Sequence, residues 1–186
     1  LKSYYVPSFE PAWRNSIGAV CVFTTEVFLK KNLFFDENII GLEDLDIHLY
    51  FHKAGYRGHI IHKPLKIYYA TLQSRETNSW STNYQRQMEN VKKFLKKNEF
   101  LYDEYGKRAK SWLYFFVGMT YLRGGKMKEG RDFLAKSLLL KFNLNSFFYY
   151  LVSYLGYKLF YFYDRTKQLI FRILRAGLFY LRRQSF

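Results

Sequence analysis

The stretch that decides how this chain folds is FDENIIGLEDLDIHLYFHKAGYRGHIIHKP, residues 35–64. At its centre Glu43-Asp44-Leu45-Asp46 sets three carboxylates within four residues, where an irregular run gives way to helical spacing. Leu45, Leu49 and His52 recur at helical intervals, which predicts a helix over 44–54, and Gly55 is placed to end it in a left-handed cap. Beyond it, 59–62 and 65–69 fit two short strands with Pro64 between them. Acids in a first helical turn complement the helix dipole, so the three alone read first as a plain helix start.

Upstream, IGAVCVFT (17–24) predicts a buried strand, and Thr24 or Thr25 would cap a short helix reaching about Lys31, followed by a loop over 34–41. The single cysteine, Cys21, excludes an internal disulfide and reads as a small buried hydrophobe, which suits a reducing, cytoplasmic setting. Leu1-Lys2-Ser3 has neither an initiator Met nor a signal-peptide pattern, so the chain is expected to begin inside a longer protein.

Downstream the character changes. Residues 1–106 carry 14 Lys/Arg against 12 Asp/Glu, whereas 107–186 carry 16 against 3. A polar loop over 71–82 leads to a helix from near Tyr84 to about Phe100, with Met88, Val91 and Leu95 on one face. Between 111 and 142, Tyr114, Val117, Gly118, Tyr121, Gly130, Leu134 and Ser137 follow the order of a helix-turn-helix repeat. That order resembles one tetratricopeptide unit, and an ordinary helical hairpin fits it as well. Gly124-Gly125-Lys126 is the turn between its helices rather than a phosphate loop, because no strand precedes it and no Ser or Thr follows.

Residues 147–163 hold ten aromatics with Lys158 the only charge, which is near the lower limit for a bilayer span and rich in interface-favouring Tyr. On the helical wheel Arg165, Arg172, Arg175, Arg182 and Arg183 lie opposite Ile170, Leu174 and Leu181, a basic amphipathic helix suited to an anionic membrane surface. Nucleic acid is not the expected partner, since the arginines flank an apolar face and no stacking platform accompanies them.

The order Glu-Asp-x-Asp, helix, Gly-Tyr-Arg, short strand and Pro, read in Glu43-Asp44-Leu45-Asp46, Gly55-Tyr56-Arg57 and Pro64, resembles the acceptor-side half of the large inverting GT-A glycosyltransferase family that includes rhamnosyltransferases. Phe35-Asp36-Glu37 and Gly18-Ala19 resemble two further elements of that family, and the likeness covers roughly 13–75. It implies Asp44 as catalytic base, Glu43 as its neighbour at the acceptor site and Asp46 in a structural role. Tyr50 stands where the family often has Arg, and Tyr69 where it often has His.

The resemblance further implies an α/β fold class, a partial GT-A domain over 1–75, followed by an all-α tail comprising a helical region (76–143) and an aromatic and basic end (144–186). It implies a nucleotide-sugar donor, a saccharide or lipid-linked acceptor, and a divalent Mg or Mn ion in the parent protein. The ligands of that ion, an Asp-x-Asp motif, belong to an N-terminal half outside this sequence, so the chain alone is expected to be inactive. No metal ligand is assigned here. His48 and His52 are one turn apart, but His59 and His62 would point to opposite faces of a strand. Expected location is the cytoplasm, peripheral to the inner face of the membrane. The alternative is a non-catalytic helical interaction or membrane-binding module.

Overall fold

The computed structural model describes residues 3–5, 25–56, 59–61 and 83–184, and the architecture is that of these residues. In chain order they form β1 (Ser3–Tyr5), α1 (Thr25–Lys31), α2 (Glu43–Lys53), β2 (His59–Ile61), α3 (Tyr84–Glu104), α4 (Lys107–Arg123), α5 (Met127–Leu140), α6 (Leu144–Val152) and α7 (Tyr157–Gln184). The fold is all-α rather than the expected α/β, relieved by one ribbon in which β1 pairs antiparallel with β2, Tyr4 opposite Ile60. The physical reason is where the apolar surface goes. Three-residue strands make no layer for helices to cover, and α2 buries its apolar side against other helices instead. The strands expected at 17–24 and 65–69, and the loop at 71–82, lie outside the described residues.

Helix α2 begins at Glu43 with no side-chain cap and ends at Lys53, where Gly55 takes φ +85°, the left-handed conformation that a side chain would disfavour. Its Leu45 and Leu49, with Ile39 and Leu42 ahead of it, pack with Val91, Phe94, Leu101 and Tyr102 of α3 and with Leu113 and Val117 of α4. Contacts advance together along α2 and α3, from Asp46 against Asn98 to Lys53 against Glu104, so the two helices run in the same sense. Helix α3 starts on Asn83, whose side chain accepts from the Arg86 amide at 3.0 Å.

Helices α4 and α5 form the expected hairpin. A Cβ built on Gly118 would lie 3.0 Å from the Gly130 carbonyl oxygen, and Ser111 and Ser137 exchange hydroxyl-to-carbonyl bonds of 2.9 and 2.7 Å farther along. Helix α4 is buried on two sides. Leu113 and Val117 enter the first cluster, while Met119 and Leu122 join Leu134 of α5, Tyr149 of α6 and Phe160 of α7 in a second.

The aromatic run 147–163 is not one segment. Helix α6 closes in a 3-10 turn at Ser153–Leu155, and Gly156 at φ +88° redirects the chain into α7, which absorbs the end of that run and the basic stretch after it into 28 residues. No helix among the described residues is long and apolar enough to cross a membrane.

Candidate functional site

The carboxylates at the start of α2 do not share one environment. Asp46 is 1% exposed; its Oδ1 accepts from Asn98 Nδ2 at 2.7 Å and its Oδ2 from Lys97 Nζ at 2.8 Å. Lys97 also donates to Asp36 Oδ2 at 2.8 Å, while Asp36 Oδ1 accepts from the Asn38 amide at 2.9 Å. One ammonium group therefore ties the loop before α2, the first turn of α2 and the third turn from the end of α3 into a unit. The charge-assisted bond from Lys97, reinforced by the Asn38 amide, holds the Asp36 carboxyl below its ordinary 3.8. Burial alone would lower the Lys97 ammonium, but its bonds to Asp36 and Asp46 outweigh that and raise it above its ordinary 10.5.

Asp46 is thus engaged within the fold, by Lys97 and Asn98. Removing one partner from a buried pair costs about 3–5 kcal/mol, and the figure here is lower because Lys97 keeps part of its surface in water.

Glu43 and Asp44, the two predicted site residues, occupy the first turn of the same helix and are half-buried. Asp44 makes no hydrogen bond or ion pair among the described residues, and Glu43 Oε2 is buried with no hydrogen-bond partner. A buried carboxylate oxygen without a donor is costly to maintain, and such groups call for an explanation in each case. One turn along, His48 is buried. Burial pushes its imidazole below 6.5, and the Asp44 charge pulls it partly back. Four residues apart on one helix, Asp44 and His48 share a face. The arrangement offers two acids at a helix N-terminus, anchored from behind by Asp46, with acceptor capacity unused among the described residues.

Lys97 and Asn98 are the supporting residues that local reading does not reveal. Lys96-Lys97 resembles a solvated charge run, and its partner Asp36 lies 61 residues away. Asn98 carries a legible signal, since it sits in register with Val91, Phe94 and Leu101 as a polar side chain on an apolar face and is fully buried.

The Mg or Mn ion implied by the resemblance finds no ligand set among the described residues. Asp36 and Asp46 are both engaged by Lys97, and no group of three His, Cys, Asp or Glu among the described residues is arranged to hold a metal. A separate cleft of about 620 Å³ opens between α4 and α7, walled by Trp112, Phe115, Phe116, Met119, Tyr149 and Phe171. Its guanidinium, Arg123, is engaged by Asp164 in a two-pronged ion pair, Lys167 also lines it, and no carboxylate does. Compared with models of protein families, with curated proteins and with solved structures, the chain matches none.

Proposed function

We propose that residues 35–64 form the acceptor side of an inverting glycosyltransferase, which in the intact protein moves a sugar from a nucleotide-sugar donor to a saccharide or lipid-linked acceptor of envelope or polysaccharide synthesis. Asp44 is the base. Its carboxylate takes the proton of an acceptor hydroxyl as that oxygen bonds to the anomeric carbon, while the bond from that carbon to the nucleoside diphosphate breaks and the electron pair leaves with the phosphate. Glu43, the neighbour of Asp44 in the first turn of α2, stands beside it at the acceptor site.

The observation that carries this reading is the division among the acids. Asp36 and Asp46 are spent on Lys97, and Asp44 is left without hydrogen bond or ion pair among the described residues at the N-terminal end of a fixed helix. A base must be held firmly but keep its lone pairs open, and this local order meets both needs.

The test uses the intact parent protein, with transfer followed as nucleoside diphosphate released per acceptor glycosylated. Asp44→Asn is expected to lower kcat on the order of 100- to 10,000-fold while donor binding and helical content stay at the parent level. Turnover unchanged by Asp44→Asn would reject Asp44 as the base.

A further inference from the structure

Helix α7 meets the bundle with one side only. Phe160 and Asp164 are buried against α4 and α6, and the opposite side is left open. There Leu159, Phe162, Leu169 and Ile173 are 55%, 69%, 57% and 62% exposed, and with Thr166 they follow a strict three-four spacing along the helix. Such a row of large apolar side chains in water is unusual for a surface without a partner. Beside it stand the exposed Lys158 and Arg165. The one acid of α7, Asp164, is taken by Arg123, Tyr149 and Gln168 on the buried side.

We infer that this face lies on an anionic lipid bilayer, with Leu159, Phe162, Leu169 and Ile173 entering the headgroup and acyl boundary and Lys158 and Arg165 meeting lipid phosphates. Three observations select this occupant. Pairing with a second copy through the same spacing would set basic flanks against basic flanks, and the one acid of α7, Asp164, is already engaged on the buried side. The region from 107 onward carries 16 basic residues against 3 acidic, which suits an anionic surface. No described helix is long and apolar enough to cross the bilayer, so α7 lies in its plane.

The experiment floats the full chain with vesicles of phosphatidylcholine alone and with vesicles holding about 30% phosphatidylglycerol. It is repeated with Phe162→Ser combined with Ile173→Ser, whose helical content is checked by circular dichroism. Binding to the anionic vesicles is expected to exceed binding to the neutral ones by on the order of ten-fold, and the double variant to lose on the order of ten-fold. Equal binding to both vesicles, or a variant that binds like the parent, overturns the inference. So does equal retention on immobilised poly-glutamate, which would make the face a general polyanion surface. A monomer without vesicle binding also overturns it, and a stable dimer that the variant abolishes, again without vesicle binding, assigns the face to a second copy. Neither donor nor acceptor is present, so the outcome is independent of the glycosyl-transfer reading.

Discussion

At position 46 a carboxylate is sealed beneath Lys97 and Asn98, while two residues earlier the same side chain stands at the helix start with no hydrogen bond among the described residues. The cluster itself is legible in sequence, because three acids ahead of an apolar period mark a helix start. Which acid is spent and which stays open is not, since Lys97 reaches Asp36 and Asp46 from a distant helix. His48 gives this scale its own prediction. Burial lowers its pKa below 6.5, so the folded chain keeps the imidazole neutral where the unfolded chain takes up a proton. His52 is lowered by burial in the same direction. Their contribution is therefore complete above 6.5 and is lost as pH falls through the lower folded values. Unfolding by urea at about pH 7.5 and about pH 5.5 should show the chain weaker in acid, with His48→Gln losing less across that interval than the parent. A variant whose loss equals the parent's would contradict this placement of His48.

Among the elements, the α4–α5 hairpin shows how small residues permit contact. The run of Gly118, Gly130 and Ser137 marks a close approach in advance, because helices that touch along their backbones have no room for larger side chains. The structure supplies the tolerance. A Cβ on Gly130 would come within 3.0 Å of the Gly118 carbonyl oxygen and 2.5 Å from Leu122 Cγ, a fully buried side chain with nowhere to retreat. Gly130→Ala should therefore destabilise by overpacking, about 1–3 kcal/mol, against about 1 kcal/mol returned by the better helix propensity of Ala. The urea midpoint reads the balance, and a variant as stable as the parent would show that the hairpin can open without cost. The break between α6 and α7 was less legible. An unbroken aromatic run hides it, and Gly156 in a left-handed conformation marks it only once the path of the chain is known.

Across the whole molecule, two apolar clusters meet on α4, one drawing in α2 and α3, the other α5, α6 and α7. The second is fastened by Asp164, which accepts two bonds from Arg123 at 2.9 and 3.1 Å, one from the Tyr149 hydroxyl at 2.9 Å and one from Gln168 at 2.9 Å. This buried carboxylate has its lone pairs filled, which is the condition under which an ion pair in the interior holds. Asp164→Ala would leave Arg123 covered and unpaired, at a cost of about 2–4 kcal/mol, below the full buried-pair figure because Arg123 retains solvent contact. Hydrogen exchange should then quicken over 157–168 and stay slow at the Ser111–Ser137 crossing. Uniform quickening along the chain would instead mean that the two clusters unfold as one.

By itself the sequence determined the short helix before the loop, the acidic start and glycine end of α2, the helical hairpin and the basic, amphipathic character of the end of the chain. These are local matters, set by periodicity, capping and composition within a turn or two of each residue. Tertiary structure alone decided that the described residues form a mainly helical assembly, that Asp36 and Asp46 are spent on Lys97 while Asp44 makes no hydrogen bond or ion pair among the described residues, and that α7 turns an apolar row outward. Each depends on which distant surface a residue meets. Burial and charge pairing act through space, and neighbours in space are not recorded in the spacing of neighbours in sequence.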